Sequence, residues 1–566
     1  MMLAQVEAGG LMAAPAEELV FAPLGGVGEI GMNLALYGLG DARRRQWIAV
    51  DLGVSFGHHD LPGIDLIMPD IRFLVEERRS LLGLVLTHAH EDHFGAVLDL
   101  WPRLKVPVYA TAFTAALLEA KRRGEPGAPE VPVTVVPTGS RFSLGPFDIE
   151  LVSVAHSIPE SNALIIRTSA GNVLHTGDWK IDPTPVLGPP TDEAKLRALG
   201  NEGCLALIGD STNAVREGRS PSETEVAKTL AELIRTARGR VGVTTFASHV
   251  GRLRSVAKAA AACGREVVLV GRAMERIAQV ARETGYLDGI REFRSVEVFG
   301  YLPPDKVVAL CTGSQGEARA ALARIADDDH PEVCFSPGDR VIFSSRAIPG
   351  NEKDVMRVIN GLVARGVEVV TDRDHLVHVS GHPRRAELQD MIGWTRPQIL
   401  IPVHGEPLHM AEHAALARRA GVPNVIVCRD GELVRLAPRP GIIDELPAGR
   451  LYKDGALLIG AGERTVSDRR RLGFSGVASV ALTLSHRGEI LAGPRVELTG
   501  IPEVDAAGTP LLQVVHDSML EAFNSMPAAR RRDPDAVAEA LRRALRAALG
   551  AAWGKKPICH VHVLTL

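Results

Sequence analysis

The sequence predicts an α/β protein of several domains, and three textures along the chain support that. At 566 residues it exceeds the size at which a single hydrophobic core keeps growing, so roughly two to four domains are expected. From about residue 20 to 208, short apolar runs such as Trp47-Ile48-Ala49-Val50, Leu84-Val85-Leu86 and Ala163-Leu164-Ile165-Ile166 recur between Gly, Pro and Asp, a strand texture. Beyond Asp210, helical patterns over 223–238 and 252–262 alternate with strand patterns over 241–246 and 267–270, as in a unit built on a parallel sheet.

Strand-like stretches at 367–371 and 398–403 lead back into histidine-bearing loops, so the first domain is expected to resume near residue 350 after an insertion. Residues 438–447 are rich in Pro and Gly and read as a linker. After it, strands over 476–491 and a helix over 535–553 predict a small α+β domain. The expected organisation is a first domain in two parts (1–210 and 351–437), an inserted domain (211–350), a linker (438–455) and a C-terminal domain (456–566).

The 64 basic and 68 acidic residues leave a formal net charge of -4, so any contact with a polyanion has to be local. Six cysteines without a C-x-x-C pair fit reduced thiols better than a disulfide frame or a thiolate zinc site. The start of the chain carries Glu7, Glu17 and Glu18 and no basic segment, unlike a secretory signal. No apolar run approaches the ~18 residues a membrane helix needs. A cytoplasmic protein without membrane attachment is the expectation.

The densest chemical signal is Thr87-His88-Ala89-His90-Glu91-Asp92-His93, directly after an apolar strand. In extended chain His88 and His90 share a face, while Asp92 and His93 turn onto the next loop and can face a second ion. Imidazole and carboxylate are the ligands of a catalytic zinc that keeps a water position open. More ligands of the same types follow other strands: His156 in Val154-Ala155-His156-Ser157 and Asp178 in His175-Thr176-Gly177-Asp178. A carboxylate shared by two ions suits the in-line displacement of a phosphodiester.

Together with Asp51 in Val50-Asp51-Leu52-Gly53, these segments resemble in order and context the motifs of the metallo-β-lactamase superfamily. The resemblance implies a four-layer αββα sandwich holding two Zn2+, with Mn2+ or Mg2+ as alternatives. One ion would be held by His88, His90 and His156 and the other by Asp92, His93 and His404; Asp178 would bridge them and Asp51 would support the site. The stretches Gly209-Asp210-Ser211-Thr212-Asn213, Thr245-Phe246-Ala247-Ser248, Thr312-Gly313-Ser314-Gln315-Gly316-Glu317 and Ser344 to Glu352 resemble loops of the β-CASP nucleases, with Asp210 as the acidic first motif. His378-Val379-Ser380-Gly381-His382 resembles the loop that grips a substrate phosphate. There His382 would protonate the leaving oxygen or stabilise the transition state as a cation.

Pro402-Val403-His404-Gly405-Glu406 resembles the third β-CASP motif, whose histidine implies the RNA-acting branch. The match continues through Gly449-Arg450-Leu451-Tyr452-Lys453-Asp454-Gly455 and the C-terminal domain, resembling the ribonuclease J family. That resemblance implies 5′-to-3′ exonuclease and endonuclease action on single-stranded RNA in its maturation and decay, with a zinc-held hydroxide as nucleophile and Asp92, Asp178 and His382 at the chemistry. It also implies a preference for a 5′-monophosphate and a homodimer or homotetramer. The chain departs from the family pattern in having His249 where Asn is frequent, and His58-His59 where acidic residues are frequent. Two rival readings are a hydrolase of a small ester or thioester, and a non-catalytic RNA-binding scaffold. The inserted domain speaks against the first and the full ligand set against the second.

Overall fold

In the computed structural model, residues 17–58, 60–348 and 350–566 are described. The reading of residues 1–16 as lacking a secretory signal, His59 and Pro349 lie outside them. The chain forms two compact units: residues up to 55 together with 68–450, and residues 56–67 together with 451–566.

The first unit contains a sandwich of two large sheets. One has eight strands in the order Gly441–Glu445, Glu432–Ala437, Glu18–Gly25, Leu34–Gly40, Gln46–Val50, Leu81–Val85, Val108–Ala110 and Val133–Val135. The other has seven: Asn424–Val425, Ile399–Val403, Ala206–Asp210, Gly171–His175, Asn162–Thr168, Phe147–Ser153 and Arg141–Leu144. Phe21, Tyr37, Ile48 and Val50 of one sheet meet Ile149, Leu164, Ile208 and Ile401 of the other in one core. On the far side of the second sheet, Ile165, Leu174 and Leu207 pack under the helices Glu193–Glu202, Arg385–Thr395 and Pro407–Arg419 through Leu196, Leu199, Met391 and Leu416. With the helices Val97–Leu104 and Ala112–Gly124 that follow strands of the first sheet, this is the αββα arrangement.

A five-stranded, wholly parallel sheet is inserted into this sandwich, in the order Glu266–Val270, Val307–Cys311, Val241–Thr244, Arg340–Phe343 and Glu368–Val370. Its strands are near-continuous Val, Leu, Ile and Ala because helices cover both faces. The return to the sandwich, expected near residue 350, comes later. The helix Glu352–Ala364 still packs here, and Glu368 pairs with Arg340 in this sheet. A short strand such as Glu-Val-Val reads alike in either sheet; only its partner decides.

The segment expected as a linker is largely paired strand. Gly441–Glu445 joins the first sheet, and Arg450–Asp454 pairs with Leu457–Gly460. Pro and Gly there mark turns between short strands, not unpaired chain. The C-terminal unit carries a three-stranded sheet, Ile490–Thr499, Val477–Leu484 and Ile558–Thr565, with Ala478, Val480, Leu482 and Leu484 packed on Leu511, Val515, Met519, Leu541 and Leu545 of two helices. Among the described residues all six cysteines are free, and no helix is long and apolar enough to cross a membrane.

Candidate metal centre

Sheet register brings distant parts of the sequence to one edge of the sandwich. Val50 pairs with Val85, so Asp51 and the segment Thr87–His93 leave the sheet side by side; Asp92 and His93, expected on a loop, lie in the short helix Glu91–Phe94. In the second sheet His175 pairs with Ile208 and Asp210 with Val403, which aligns the loops carrying Asp178, Asp210 and His404. Loops at strand ends on a rigid scaffold are where binding groups concentrate. Asp51 and His404 take left-handed backbone, with φ of 63° and 51°, a strained state that persists where surrounding structure holds it.

Two groups of ligand atoms meet at Asp178. His88 Nε2 and His156 Nε2 lie 3.2 and 3.0 Å from His90 Nδ1, and each lies 3.7 Å from Asp178 Oδ2. The other carboxylate oxygen, Asp178 Oδ1, is 3.2 Å from His93 Nε2 and 3.3 Å from His404 Nε2, and both these nitrogens are 3.7 Å from Asp92 Oδ2. Within each group the ligand atoms all lie within 4.8 Å of one another. The buried atoms Asp178 Oδ1 and His404 Nε2 have no hydrogen-bond partner, and such groups are costly unless something compensates them. Unsatisfied oxygen and nitrogen converging at this spacing is a donor set that fits a divalent cation in each group.

Neighbours fix the other ring nitrogens. His93 Nδ1 donates to Asp51 Oδ2 at 2.7 Å, and Asp51 also accepts from the Thr87 amide at 2.8 Å and from its hydroxyl. His88 Nδ1 lies 3.0 Å from the Thr87 hydroxyl, His156 Nδ1 donates to the Gly381 carbonyl at 2.8 Å, and His404 Nδ1 donates to Asn33 Oδ1 at 3.1 Å. With the Nδ1 atoms committed outward, the Nε2 atoms of His88, His93, His156 and His404 face the centre, the orientation that outer carboxylate and carbonyl partners give to metal-binding histidines. Two glycines make room: a Cβ on Gly53 would stand 1.7 Å from the Asp92 carbonyl, and one on Gly381 2.6 Å from the His156 ring.

The electrostatics divide the groups. Burial above all, together with neighbouring imidazoles, depresses His88 and His90 well below the ordinary histidine range and takes His156 down to about 3. Burial opposes charge on His93 and His404 too, but Asp178, Asp92 and other carboxylates outweigh it and raise both. Asp178 is itself pulled well down, against its burial, by His404, His93 and His382. One group is therefore neutral and ready to coordinate; the other holds protons that a cation would release on binding.

His382 lies at the mouth of this cluster. Its Nδ1 is 2.8 Å from Asp210 Oδ2 and 3.9 Å from Asp178 Oδ2, and its ring centroid is 5.2 Å from His156 and 5.5 Å from His404. Burial works against its charge, yet Asp210 and Asp178 raise its pKa to about 9. The loop before it is pinned from several sides. Asn213 Nδ2 donates to Ser380 Oγ at 2.9 Å and to the His382 carbonyl at 3.2 Å, and the Arg252 guanidinium donates to the Val377 carbonyl at 3.1 Å. Val379 is buried, and His378 lies toward Arg252, Glu223 and Arg346.

The residues expected as ligands thus converge, with Asp51 and Asp210 beneath them. Sequence reasoning missed Asn33, which bonds both His404 and, at 2.9 Å, the Asp92 carbonyl. Its signal was the glycine-dense stretch Gly25-Gly26-Val27-Gly28-Glu29-Ile30-Gly31-Met32-Asn33. Close turns are needed there: a Cβ on Gly26, at φ 86°, would strike Asn33 Oδ1 at 2.3 Å.

Comparison with known proteins matches this arrangement. A β-lactamase superfamily domain matches residues 47–196, the β-CASP domain of ribonuclease J residues 238–362, a Zn-dependent metallo-hydrolase RNA specificity domain residues 366–427, and the ribonuclease J C-terminal domain residues 464–566. Ribonuclease J of Sinorhizobium meliloti is 54% identical over 97% of this chain and 97% of its own. The chain belongs to the ribonuclease J family. Ribonuclease J of Mycolicibacterium smegmatis is 40% identical over 94% of this chain and 95% of its own, and that of Thermus thermophilus 37% over 93% and 92%. A solved protein of unknown function from Enterococcus faecalis V583 shares the fold at a TM-score of 0.50 and 16% identity, covering 74% of this chain and all of that one. With its metallo-hydrolase and β-CASP domains, this family member is a metal-dependent ribonuclease.

Proposed function

We propose that the chain cleaves single-stranded RNA at a centre of two divalent cations, zinc in the first place, as a 5′-to-3′ exonuclease and an endonuclease. The observation that carries this reading is the division of Asp178, whose two carboxylate oxygens face different histidine groups. His88, His90 and His156 would hold one cation, Asp92, His93 and His404 the other, and Asp178 both. Imidazole-rich sites favour zinc over magnesium, and manganese is the nearer substitute. When bound, such a pair supplies Lewis acidity and lowers the pKa of water to near neutral.

The protein's own groups then orient the strand. Ser380 Oγ, fixed by Asn213, and the Gly381 backbone flank the position of the reacting phosphate. His382, held charged by Asp210, acts beside them as a cationic donor to oxygen that gains negative charge as the P–O bond breaks. Asp51 and Asn33 keep the ring nitrogens aimed at the cations. The same loop supports a preference for a 5′-monophosphate end. A homodimer or homotetramer working in the cytoplasm completes the proposal.

The test is cleavage of a 5′-labelled, monophosphorylated single-stranded RNA, with metal content measured on the same sample and Asp92→Ala as control. Metal-dependent release of labelled mononucleotide is expected, with longer labelled fragments marking internal cuts. A folded Asp92→Ala chain that retains the full rate overturns the assignment.

A further inference from the structure

Beside the Val377–His382 loop the chain gathers three arginines that the chemistry above does not use. The backbone brings two of them together: Asn213 forms a β-bridge with Arg384, and Arg385 N donates to the Arg216 carbonyl at 3.0 Å. The third, Arg346, extends from the end of the inserted-domain strand Arg340–Phe343, and its carbonyl accepts from Gln315 at 2.9 Å. Burial first, then the charges of Arg346 and Arg384, depress the basicity of Arg216, and the nearby Asp372 offsets this only in part.

Among the described residues one carboxylate, Asp372, stands against these three guanidinium groups. Asp372 pairs with Arg346 at 3.0 Å, but among the described residues neither Arg216 nor Arg384 has a carboxylate partner, and the buried Nε of Arg384 has no hydrogen-bond partner at all. The buried Nδ1 of His378, on the adjoining loop, is likewise unpartnered. The next residue shows what a structural arginine looks like here: Arg385 is paired with Glu217 at 3.1 Å and Glu412 at 2.9 Å. A half-buried positive excess in a chain of net charge -4 is retained at a cost unless an anion offsets it. Guanidinium forks match the oxygens of a phosphate.

We propose that Arg216, Arg346 and Arg384 form a binding site for a backbone phosphate of the RNA strand, separate from the reacting phosphate at Ser380–His382. The site rests on the RNA-cleaving function proposed above. It lies where the sandwich loops 211–218 and 380–385 meet the inserted-domain loop after Phe343, so it aligns the strand across both domains before cleavage.

Steady-state cleavage is measured over a salt series for the full chain and for Arg216→Gln, Arg384→Gln, Arg216→Lys and Arg384→Lys, on RNAs of one sequence ending in 5′-hydroxyl or 5′-monophosphate. Each Gln variant is expected to raise KM about tenfold on both RNAs, the effect of one lost charge-assisted contact. It should also flatten the log–log salt dependence of KM by about 0.7, and the Lys variants should recover the slope. Unmoved KM and slope in both Gln variants overturn the site. A loss confined to the monophosphorylated RNA also overturns it, because the arginines then serve the chain end. Lys variants no better than Gln, with equally lowered melting temperatures, overturn it as well, since the arginines are then structural. A parent chain without activity on RNA overturns the function itself and this site with it, whereas an active parent with unmoved variants overturns the site alone.

Discussion

Two buried polar clusters, one in the sandwich and one in the inserted domain, are built on opposite principles. Around Asp178, six further ligand residues point lone pairs and protons inward, and Asp178 Oδ1 and His404 Nε2 are left unsatisfied. Around Arg252, the guanidinium and the Glu223 carboxylate satisfy each other, and the guanidinium also meets neighbouring carbonyls within the chain. Its guanidinium meets both oxygens of Glu223 at 2.9 and 3.0 Å and donates to the Ser344 carbonyl at 2.8 Å and to the Val377 carbonyl at 3.1 Å. Glu223 is held well below the usual carboxylate range, against its burial, by Arg252 and His249. The difference separates a site from a scaffold: the charges of the first cluster converge on unsatisfied atoms, whereas the Arg252–Glu223 ion pair is complete in itself.

The sharpest way to break this comparison is to cut the centre of each cluster. Asp178→Ala should lower RNA cleavage a hundredfold or more, since even outer partners of a metal site cost about 10–100-fold. It should also lower bound metal while the melting temperature of the chelated chain moves little. Arg252→Met should do the reverse, costing about 3–5 kcal/mol of stability by leaving Glu223 buried and unpaired, while metal content of the folded fraction stays near that of the parent. Metal analysis and thermal melts on both variants decide it. If Asp178→Ala keeps its metal, or Arg252→Met melts like the parent, the distinction fails.

His382 stands between the two types, because it belongs to the open site yet is paired with Asp210. Its pKa in the folded chain, about 9, lies above the unfolded value near 6.5. The pairing therefore stabilises the folded state fully below pH 6.5, and the contribution disappears as pH rises through about 9. In chelated protein, Asp210→Asn should lose roughly 3 kcal/mol relative to the parent near pH 6, an upper figure for a shift of this size. The gap should close toward pH 9. A gap that is constant with pH in melts of both chains would show that the pair does not titrate in this range.

The open site was the more legible of the two in the sequence. Ligand histidines and aspartates follow short apolar strands, and the Thr87–His93 string places four of them in one seven-residue segment. The closed cluster left no trace, because Glu223, Arg252, Ser344 and Val377 are brought together only by packing of the inserted sheet. The fold shows the same division. Individual strands and helices were readable from periodicity, whereas their partners were not. Residues 56–67 join the C-terminal unit from far along the chain, and Glu368–Val370 pairs in the inserted sheet instead of opening the return to the sandwich. Asn33 was missed for a related reason: an amide carries no motif, and its role exists only once His404 has been folded against it.

The smallest test concerns His249, which occupies a position where the family pattern often has Asn. It caps the helix Val250–Ala262 by accepting from the Arg252 amide through Nδ1 at 3.2 Å, and its Nε2 lies 3.1 Å from Glu223 Oε1. Burial first, then Arg252, depresses its pKa, so it remains a neutral capping ring. Asparagine is among the best capping residues, so His249→Asn keeps the cap and loses only the reach to Glu223. Since Arg252 still satisfies both oxygens of that carboxylate, the expected cost is about 0.5–1.5 kcal/mol in denaturant unfolding, several-fold below that of Arg252→Met. Cleavage should change by less than about twofold, as one net hydrogen bond remote from the ligands predicts. A loss equal to that of Arg252→Met would mean that the imidazole holds Glu223 in place as much as the guanidinium does.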